Sequence, residues 1–116
     1  MKGFKELSVW QKAKDLAVKI YKISNQGALK EDFGLRDQIR RSAVSIPSNL
    51  AEGDERESDK ESVRFFYIAK GSLAELRTQL QIAYEIGYIE KDVFNSLDQE
   101  YNMLGKMIGA LIKSRK

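Results

Sequence analysis

Side chains that could do catalytic chemistry are few in this sequence, because it contains neither cysteine nor histidine. Cysteine nucleophiles, histidine general bases, disulfides and thiolate metal sites are therefore excluded. The remaining candidates are the carboxylates of Glu52 and Glu75, and neither has a second acid at a spacing suited to general acid–base catalysis. We expect no enzymatic activity, no cofactor, no metal and no small-molecule substrate. A carboxylate enzyme at either residue is the least favoured hypothesis.

Basic residues could instead contact phosphate groups. The candidates for nucleic-acid contact are Lys14, Lys19, Lys22, Arg36, Arg40, Arg41, Lys113, Arg115 and Lys116. Contacts of this kind supply affinity through charge, and the affinity falls as salt is added. The alternative is that these residues form only the solvated faces that every helical bundle needs. A formal net charge of +3 does not decide between the two interpretations.

A polar row accompanies the single proline of the chain. On a helical wheel the row lies beside an apolar stripe and comprises Gln38, Ser42, Ser45, Asn49 and Glu52. Polar groups next to a core must be hydrogen-bonded or hydrated. The favoured interpretation is structural: the row satisfies the carbonyl group freed by Pro47 and the neighbouring helix ends. The alternative is that Asn49 and Glu52 face a ligand or partner.

Apolar residues recur at helical spacing along the whole chain, which predicts four amphipathic helices. Their predicted ranges are 8–24, with Ser8 as N-cap, 35 to about 51, 58–86 and 90–113. The second helix is expected to kink, not break, at Pro47, before a charged connector at 52–57. Residues 25–34 are expected to be a connection in which Gly27 helps to stop the first helix. Ser58 and Glu61 predict a capping box, and Gly87 a helix end.

These elements predict an all-α fold, an up-down-up-down antiparallel four-helix bundle in a single domain of residues 1–116. No apolar run is long enough for a signal peptide or a membrane span, so we expect a cytoplasmic protein without membrane contact.

Large apolar side chains also occupy a wider arc of the helix surfaces than the packing of one helix against another requires. They are Trp10, Tyr21, Phe65, Ile68, Ile82 and Ile86, which are candidates for an interface between subunits. An exposed apolar patch of several hundred Å² usually marks an interface, and homo-oligomers with closed symmetry are common. The alternative is that all of these residues lie inside one bundle.

Four blocks carry a resemblance to a known family. They are LSVWQKA at 7–13, QIRRSA at 38–43, SIPSNLAEG at 45–53 and FFYIAKGSLAEL at 65–76. The sequence resembles the small bacterial four-helix-bundle proteins encoded in intervening sequences of 23S ribosomal RNA genes. Within the third block, the family signature, interpreted as structural, is Ser45, Pro47, Asn49, Glu52 and Gly53.

The resemblance implies a ring-like homo-pentamer and no catalytic residues. The family is similar to accessory proteins of diversity-generating retroelements, whose basic rings bind nucleic acid and a reverse transcriptase. The function expected for this chain is therefore that of a non-enzymatic, oligomeric bundle associated with RNA, ribosomal RNA in particular, through a basic surface. The alternative is a homo-oligomeric scaffold that binds a protein partner and has no nucleic-acid role.

Overall fold

A computed structural model describes residues 3–116, and in that range the chain forms helices and turns with no strand. Met1 and Lys2, which belong to the predicted domain, lie outside the described residues. A short 3-10 turn at Phe4–Glu6 precedes five helices, α1 Ser8–Ile23, α2 Gly27–Glu31, α3 Phe33–Asp54, α4 Asp59–Glu85 and α5 Lys91–Arg115. The predicted all-α class is confirmed, with one short helix more than expected.

The four long helices pack side by side into a body of 44 × 21 × 20 Å. Helix α3 lies against α1 and α4, α4 lies against α3 and α5, and α1 also contacts α5. Each long helix buries the stripe that its sequence periodicity indicates, including Ile20, Leu50, Phe66 and Leu104. Full burial of such a side chain stabilises the fold by about 1.5–3 kcal/mol. These stripes are therefore the main reason why the helices associate.

The connection predicted at residues 25–34 is partly helical, and Gly27 does not have the role expected for it. Ser24 ends α1, whereas Gly27, with a φ of +57°, is the first residue of α2. Leu29 is buried and fastens α2 to the core, which explains why this segment folds as a helical turn. Helix α3 begins earlier than predicted because the Asp32 carboxylate accepts a hydrogen bond from the Leu35 amide at 3.2 Å.

The predicted helix ends are only partly correct. Ser8 is the first residue of α1 instead of its N-cap, because the preceding turn leaves Leu7 in that position without a side-chain cap. Ser58 is confirmed as an N-cap, since its hydroxyl accepts a hydrogen bond from the Glu61 amide at 3.2 Å. Gly87 adopts a φ of +87° just after α4 and is confirmed as the residue that terminates it.

Helix α3 continues through the buried Pro47 to Asp54, so no break occurs, as predicted. The charged connector expected at 52–57 is shorter than that, because its first three residues are the last of the helix. No helix within residues 3–116 combines the length and hydrophobicity needed to cross a membrane.

Candidate nucleic-acid interface

The signature segment 45–53 forms the α3 side of the contact between α3 and α4. The hydroxyl oxygens of Ser45 and Ser72 share a hydrogen bond at 2.8 Å. Asn49 Nδ2 donates to the Ser45 carbonyl at 2.8 Å and to its hydroxyl at 3.0 Å. The side-chain amide of Asn49 therefore hydrogen-bonds to the Ser45 carbonyl. The sequence predicts a different partner for the polar row, the carbonyl freed by Pro47. These side chains are occupied by contacts within the fold.

Gly53 lets the two helices approach closely. A Cβ atom at this position would lie 2.6 Å from Phe66 Cε1 and 3.0 Å from the Ser62 carbonyl oxygen. The Ser62 hydroxyl donates to the Gly53 carbonyl at 2.6 Å across the same contact. Any larger residue would have to push the helices apart. Glu52 differs from its neighbours in the signature, because it is exposed and pairs with Arg56.

The carboxylate of Glu75 is also occupied. It accepts hydrogen bonds from Arg41 Nη2 at 3.1 Å and from the buried Ser42 hydroxyl at 3.0 Å. These bonds, the one from Arg41 above all, lower the pKa of Glu75 and keep it ionised. Among residues 3–116, no three acidic side chains converge as metal ligands would. The geometry around Glu75 is that of a helix–helix contact.

The predicted basic residues of α1 are distributed along one exposed side of that helix. Lys14 Nζ lies 2.7 Å from Asp15, and Lys19 Nζ lies 2.9 Å from Glu100 of α5. Lys22 is exposed in the last turn of the helix. Two of these three charges are therefore already balanced by carboxylates, although exposed pairs of this kind contribute little to stability.

The predicted arginines of α3 face two different directions. The guanidinium of Arg36 lies 4.8 Å from the ring centre of Phe33, and that of Arg40 lies 4.7 Å from the ring centre of Tyr21. Arg41 instead turns to Glu75 on the α4 side. We call Tyr21, Phe33, Arg36 and Arg40 the Arg–aromatic row.

The predicted basic residues at the end of α5 lie at the opposite end of the bundle. Arg115 is half-buried and bonds to Asp54, the last residue of α3, at 3.0 Å. Asp54 is separated from Arg36 by about 27 Å along α3, from the helical rise of about 1.5 Å per residue. The basic residues predicted from the sequence therefore do not form one continuous surface.

A groove between α4 and α5 brings together a second set of basic residues. It has a volume of about 290 Å³ and is lined by Lys70, Leu73, Ala74, Arg77, Asn102, Gly105 and Lys106. No acid belongs to this lining. Lys70 and Lys106 are exposed and form no ion pair within the described part of the chain. Arg77 closes one end of the groove, where it pairs with Asp98 at 3.0 Å.

Two of the predicted residues extend this basic surface. Lys113 follows Lys106 by two helical turns on the same face of α5, about 10 Å further along. Lys116 Nζ lies 5.4 Å from the ring centre of Tyr67 on α4, and its hydrogen bond and charge lower the pKa of that phenol. We call Lys70, Lys106, Lys113 and Lys116 the lysine groove.

Lys70 and Lys106 were not among the contacts predicted from the sequence. The spacing of Lys106 and Lys113 in a tail without acids was a usable signal. Lys70 could be included only once α4 was known to lie beside α5, since 36 residues separate it from Lys106 in the sequence.

The residues predicted for a subunit interface fall into exposed and covered groups. Ile68 and Ile82 of α4 are 43% and 48% exposed, and Ile86, its C-cap residue, is 53% exposed. Trp10 is half-buried and meets Phe4 edge-on, with ring centres 5.1 Å apart.

Two further aromatic rings of that predicted interface carry arginines, and of these two Tyr21 is still 45% exposed. Phe65 is half-buried beneath the guanidinium groups of Arg56 and Arg64, at 4.5 and 4.9 Å. Tyr21 carries Arg40 on its ring, as described above. The large apolar side chains exposed on α4 and at its C-cap are Ile68, Ile82 and Ile86, together with Tyr67.

Fold and surface together define a small all-helical protein with a basic groove between α4 and α5. The model of the family described as 23S rRNA-intervening sequence protein matches residues 5–110, and the chain belongs to that family. No curated protein matches the sequence.

A solved structure with the same fold is a protein of unknown function from the S23 ribosomal protein family of Bacteroides thetaiotaomicron. It superposes with a TM-score of 0.83 and 25% sequence identity, over 90% of this chain and 98% of that one.

Proposed function

We propose that this protein is a non-enzymatic, self-associating helical bundle of the cytoplasm that binds RNA through the lysine groove. The observation that carries the proposal is the convergence of Lys70 and Lys106 on one acid-free groove, extended by Lys113 and Lys116. Lysines without a carboxylate partner can exchange their counterions for phosphates, which provides the affinity in nucleic-acid binding.

The shape of the groove supports a backbone ligand over a compact anion. Ala74 and Gly105 keep its floor low, and a Cβ atom at Gly105 would lie 3.1 Å from the side chain of Leu73. Lysine acts as a flexible point charge, so a row of lysines suits a chain of phosphates without fixing its sequence. The names of the matching family and of the solved relative both refer to the ribosome or its RNA, which favours RNA among the polyanions.

A comparison of two charge-matched variants tests this proposal. Lys70→Gln/Lys106→Gln and Lys14→Gln/Lys22→Gln each take the formal net charge from +3 to +1. We expect the groove variant to bind single-stranded RNA at least tenfold more weakly by fluorescence anisotropy, while the α1 variant stays within about threefold of the parent protein. If both variants lost RNA affinity equally, the loss would be explained by net charge alone. If the groove variant kept its affinity, the groove would not be the binding site.

Self-association is the second part of the proposal, and its partner is another copy of the chain. The exposed isoleucines of α4 support it, because Ile82 and Ile86 lie one turn apart and are each about half exposed. The family resemblance favours a ring of five copies. The proposal also includes alternating directions for the four long helices. Across α3 and α4 it is supported by Ser42–Glu75 together with Gly53–Ser62, and across α4 and α5 by Leu73–Gly105 together with Arg77–Asp98, because in each case a later residue of one helix meets an earlier residue of the next.

Light scattering of Ile82→Lys/Ile86→Lys tests self-association. We expect a shift toward the monomer mass, whereas Met103→Lys, at a 57% exposed position of α5, should leave the oligomer unchanged. A monomeric parent protein at high concentration would contradict this part.

The alternative function is a scaffold for a protein partner, and the same isoleucines favour it. That function would require a stable protein complex that survives nuclease treatment and is lost in Ile82→Lys/Ile86→Lys. An intact complex in the Lys70→Gln/Lys106→Gln variant would separate it from the RNA function.

A further inference from the structure

We propose that the Arg–aromatic row binds an unpaired nucleobase, so that the RNA preferred by this protein is single-stranded or looped. This inference rests on the proposed RNA function but concerns a different surface from the lysine groove. The row runs along the first turns of α3 and the last turn of α1, near the end of the bundle opposite Arg115.

Phe33 offers the more accessible of the two rings. It is 61% exposed, although it is the first residue of α3 and a large apolar side chain. The guanidinium of Arg36 stacks on it at 4.8 Å and is itself held by Asp37 Oδ1 at 2.9 Å and by the Lys30 carbonyl at 3.2 Å. The ring therefore stands on an anchored, planar support, and much of its surface is open to a flat ligand.

Tyr21 repeats the arrangement about one helical turn along α3. It is 45% exposed, and the guanidinium of Arg40 lies 4.7 Å from its ring centre. Arg40 Nε donates to the buried Ser24 hydroxyl at 2.8 Å, which fixes the orientation of the guanidinium plane. The terminal nitrogens of Arg40 have no hydrogen-bond partner within residues 3–116. They remain available as donors to a base edge or a phosphate.

The backbone beneath the row is held in place by Asp32. One carboxylate oxygen caps α3 through the Leu35 amide at 3.2 Å, and the other accepts from the Tyr88 hydroxyl at 3.1 Å. The start of α3 is thereby tied to the turn between α4 and α5. A ligand on Phe33 would meet a surface that is already ordered, which lowers the entropic cost of binding.

Alternating rings and guanidinium groups suit an unpaired base better than the other possible occupants. Every nucleobase has a π face that can stack on an aromatic ring or a guanidinium plane, and base-paired strands do not expose that face. An acidic peptide would engage the charges of Arg36 and Arg40 but would gain little from the flat faces of the rings. A second copy of the chain that docked through the same surface would bring further like charge to the row.

Variants that remove a ring but keep its apolar bulk test the inference. Phe33→Leu and Tyr21→Leu are compared with the parent protein on an oligo(A) single strand and on an RNA duplex of equal length. A base stacked on an aromatic side chain loses that contact when the ring is removed, so each variant should bind oligo(A) at least about fivefold more weakly. Binding to the duplex should not change. Tyr21→Phe, which keeps the ring, should bind as the parent protein does.

A 2-aminopurine base in the oligo(A) strand gives a direct readout of stacking. Its fluorescence should fall on binding to the parent protein and to Lys70→Gln/Lys106→Gln at saturation, but not on binding to the double variant Phe33→Leu/Tyr21→Leu.

The possible failures are distinguishable. Unchanged oligo(A) affinity and unchanged quenching in the ring variants would overturn the base site and leave the lysine groove standing. No binding of either RNA by the parent protein would overturn both proposals. A change in oligomer mass in Phe33→Leu or Tyr21→Leu, measured by light scattering, would identify the row as a contact between copies and would also overturn the base site.

Discussion

The lysine groove and the Arg–aromatic row are both basic, but their charges are held in opposite ways. Lys70 and Lys106 have no carboxylate partner within the described residues and lie over a floor of small side chains. Arg36 and Arg40 are each fixed by a ring and at least one further hydrogen bond. Charge that is free of partners is available to a ligand, whereas charge that is anchored mainly orients a surface. The two regions should therefore respond differently to salt, to substitution and to pH.

The largest expected difference concerns salt. Loss of Lys70 and Lys106 should make the plot of log affinity against log salt for single-stranded RNA shallower by about 1.4, since each phosphate contact contributes about 0.7. Phe33→Leu should lower affinity without changing that slope, because it removes no charge. Anisotropy titrations across a range of salt concentrations measure both. Equal slopes for all variants would remove the distinction between the two regions.

The next effect is on stability and tests the close contact between α3, which carries Arg36 and Arg40, and α4, which carries Lys70. Gly53→Ala should destabilise the fold by about 1–3 kcal/mol, because its Cβ atom would meet Phe66 at 2.6 Å. Gly71→Ala is the control: it lies within α4 in open space, so it should stabilise the fold by up to about 1 kcal/mol. Urea unfolding followed by circular dichroism measures both, and similar stabilities would mean that the close α3–α4 contact is unimportant.

A smaller expected effect on the free energy of unfolding distinguishes the arginines of the Arg–aromatic row from the lysines of the lysine groove. Arg40→Ala loses a stacking contact and a hydrogen bond to Ser24, so we expect a loss of about 1 kcal/mol in the free energy of unfolding. Lys106→Ala should change it by less than about 0.5 kcal/mol, as is usual for exposed positions. Equal losses in chemical denaturation would show that the groove lysines are anchored too.

The smallest effect concerns two tyrosines, one near each region, at alkaline pH. The hydrogen bond and charge of Lys116 lower the pKa of Tyr67, whereas the hydrogen bond that Tyr88 donates to Asp32 raises the pKa of Tyr88. Ultraviolet titration of Tyr67→Phe should lack an early-ionising phenol, and Tyr88→Phe a late one. The reverse assignment in these two variants would contradict the contacts proposed for both tyrosines.

The same two shifts have opposite consequences for stability. The contribution of Tyr88 is complete below its unfolded pKa of about 10 and is lost as pH rises through its higher folded pKa. Tyr67 has a lower folded pKa, so its contribution is absent at neutral pH and grows as pH rises toward its unfolded value. The loss of stability in Tyr88→Phe relative to the parent protein should therefore be largest at pH 7 and shrink above pH 10, whereas the loss in Tyr67→Phe should be negligible at pH 7 and grow above pH 10.

The sequence predicts the helices well because their signals are local. The stripe that contains Phe66 and the cap at Ser58 each depend on neighbours within a few turns. The predictions at Ser8 and Gly27 are wrong because each residue lies beside a short element that the sequence pattern does not reveal. A 3-10 turn precedes α1, and α2 occupies part of the expected connection.

The candidate site could be predicted only in part, because whether a lysine is paired with a carboxylate depends on residues far away in the sequence. Lys19 looks free in the sequence, but its partner is Glu100, 81 residues away. Lys70 looks like one more surface lysine until α5 brings Lys106 beside it. Residue type therefore indicates which side chains could bind phosphate, while the tertiary fold decides which of them remain available.

A single carboxylate, that of Asp32, joins parts of the chain that are 56 residues apart in sequence. Because it both starts α3 and holds Tyr88, unravelling of that helix start and opening of the α4–α5 turn become one cooperative event instead of two independent ones. Amide protons in both segments should then exchange with solvent as a unit, and slow opening motions at this end of the molecule would be shared by the start of α3 and the α4–α5 turn.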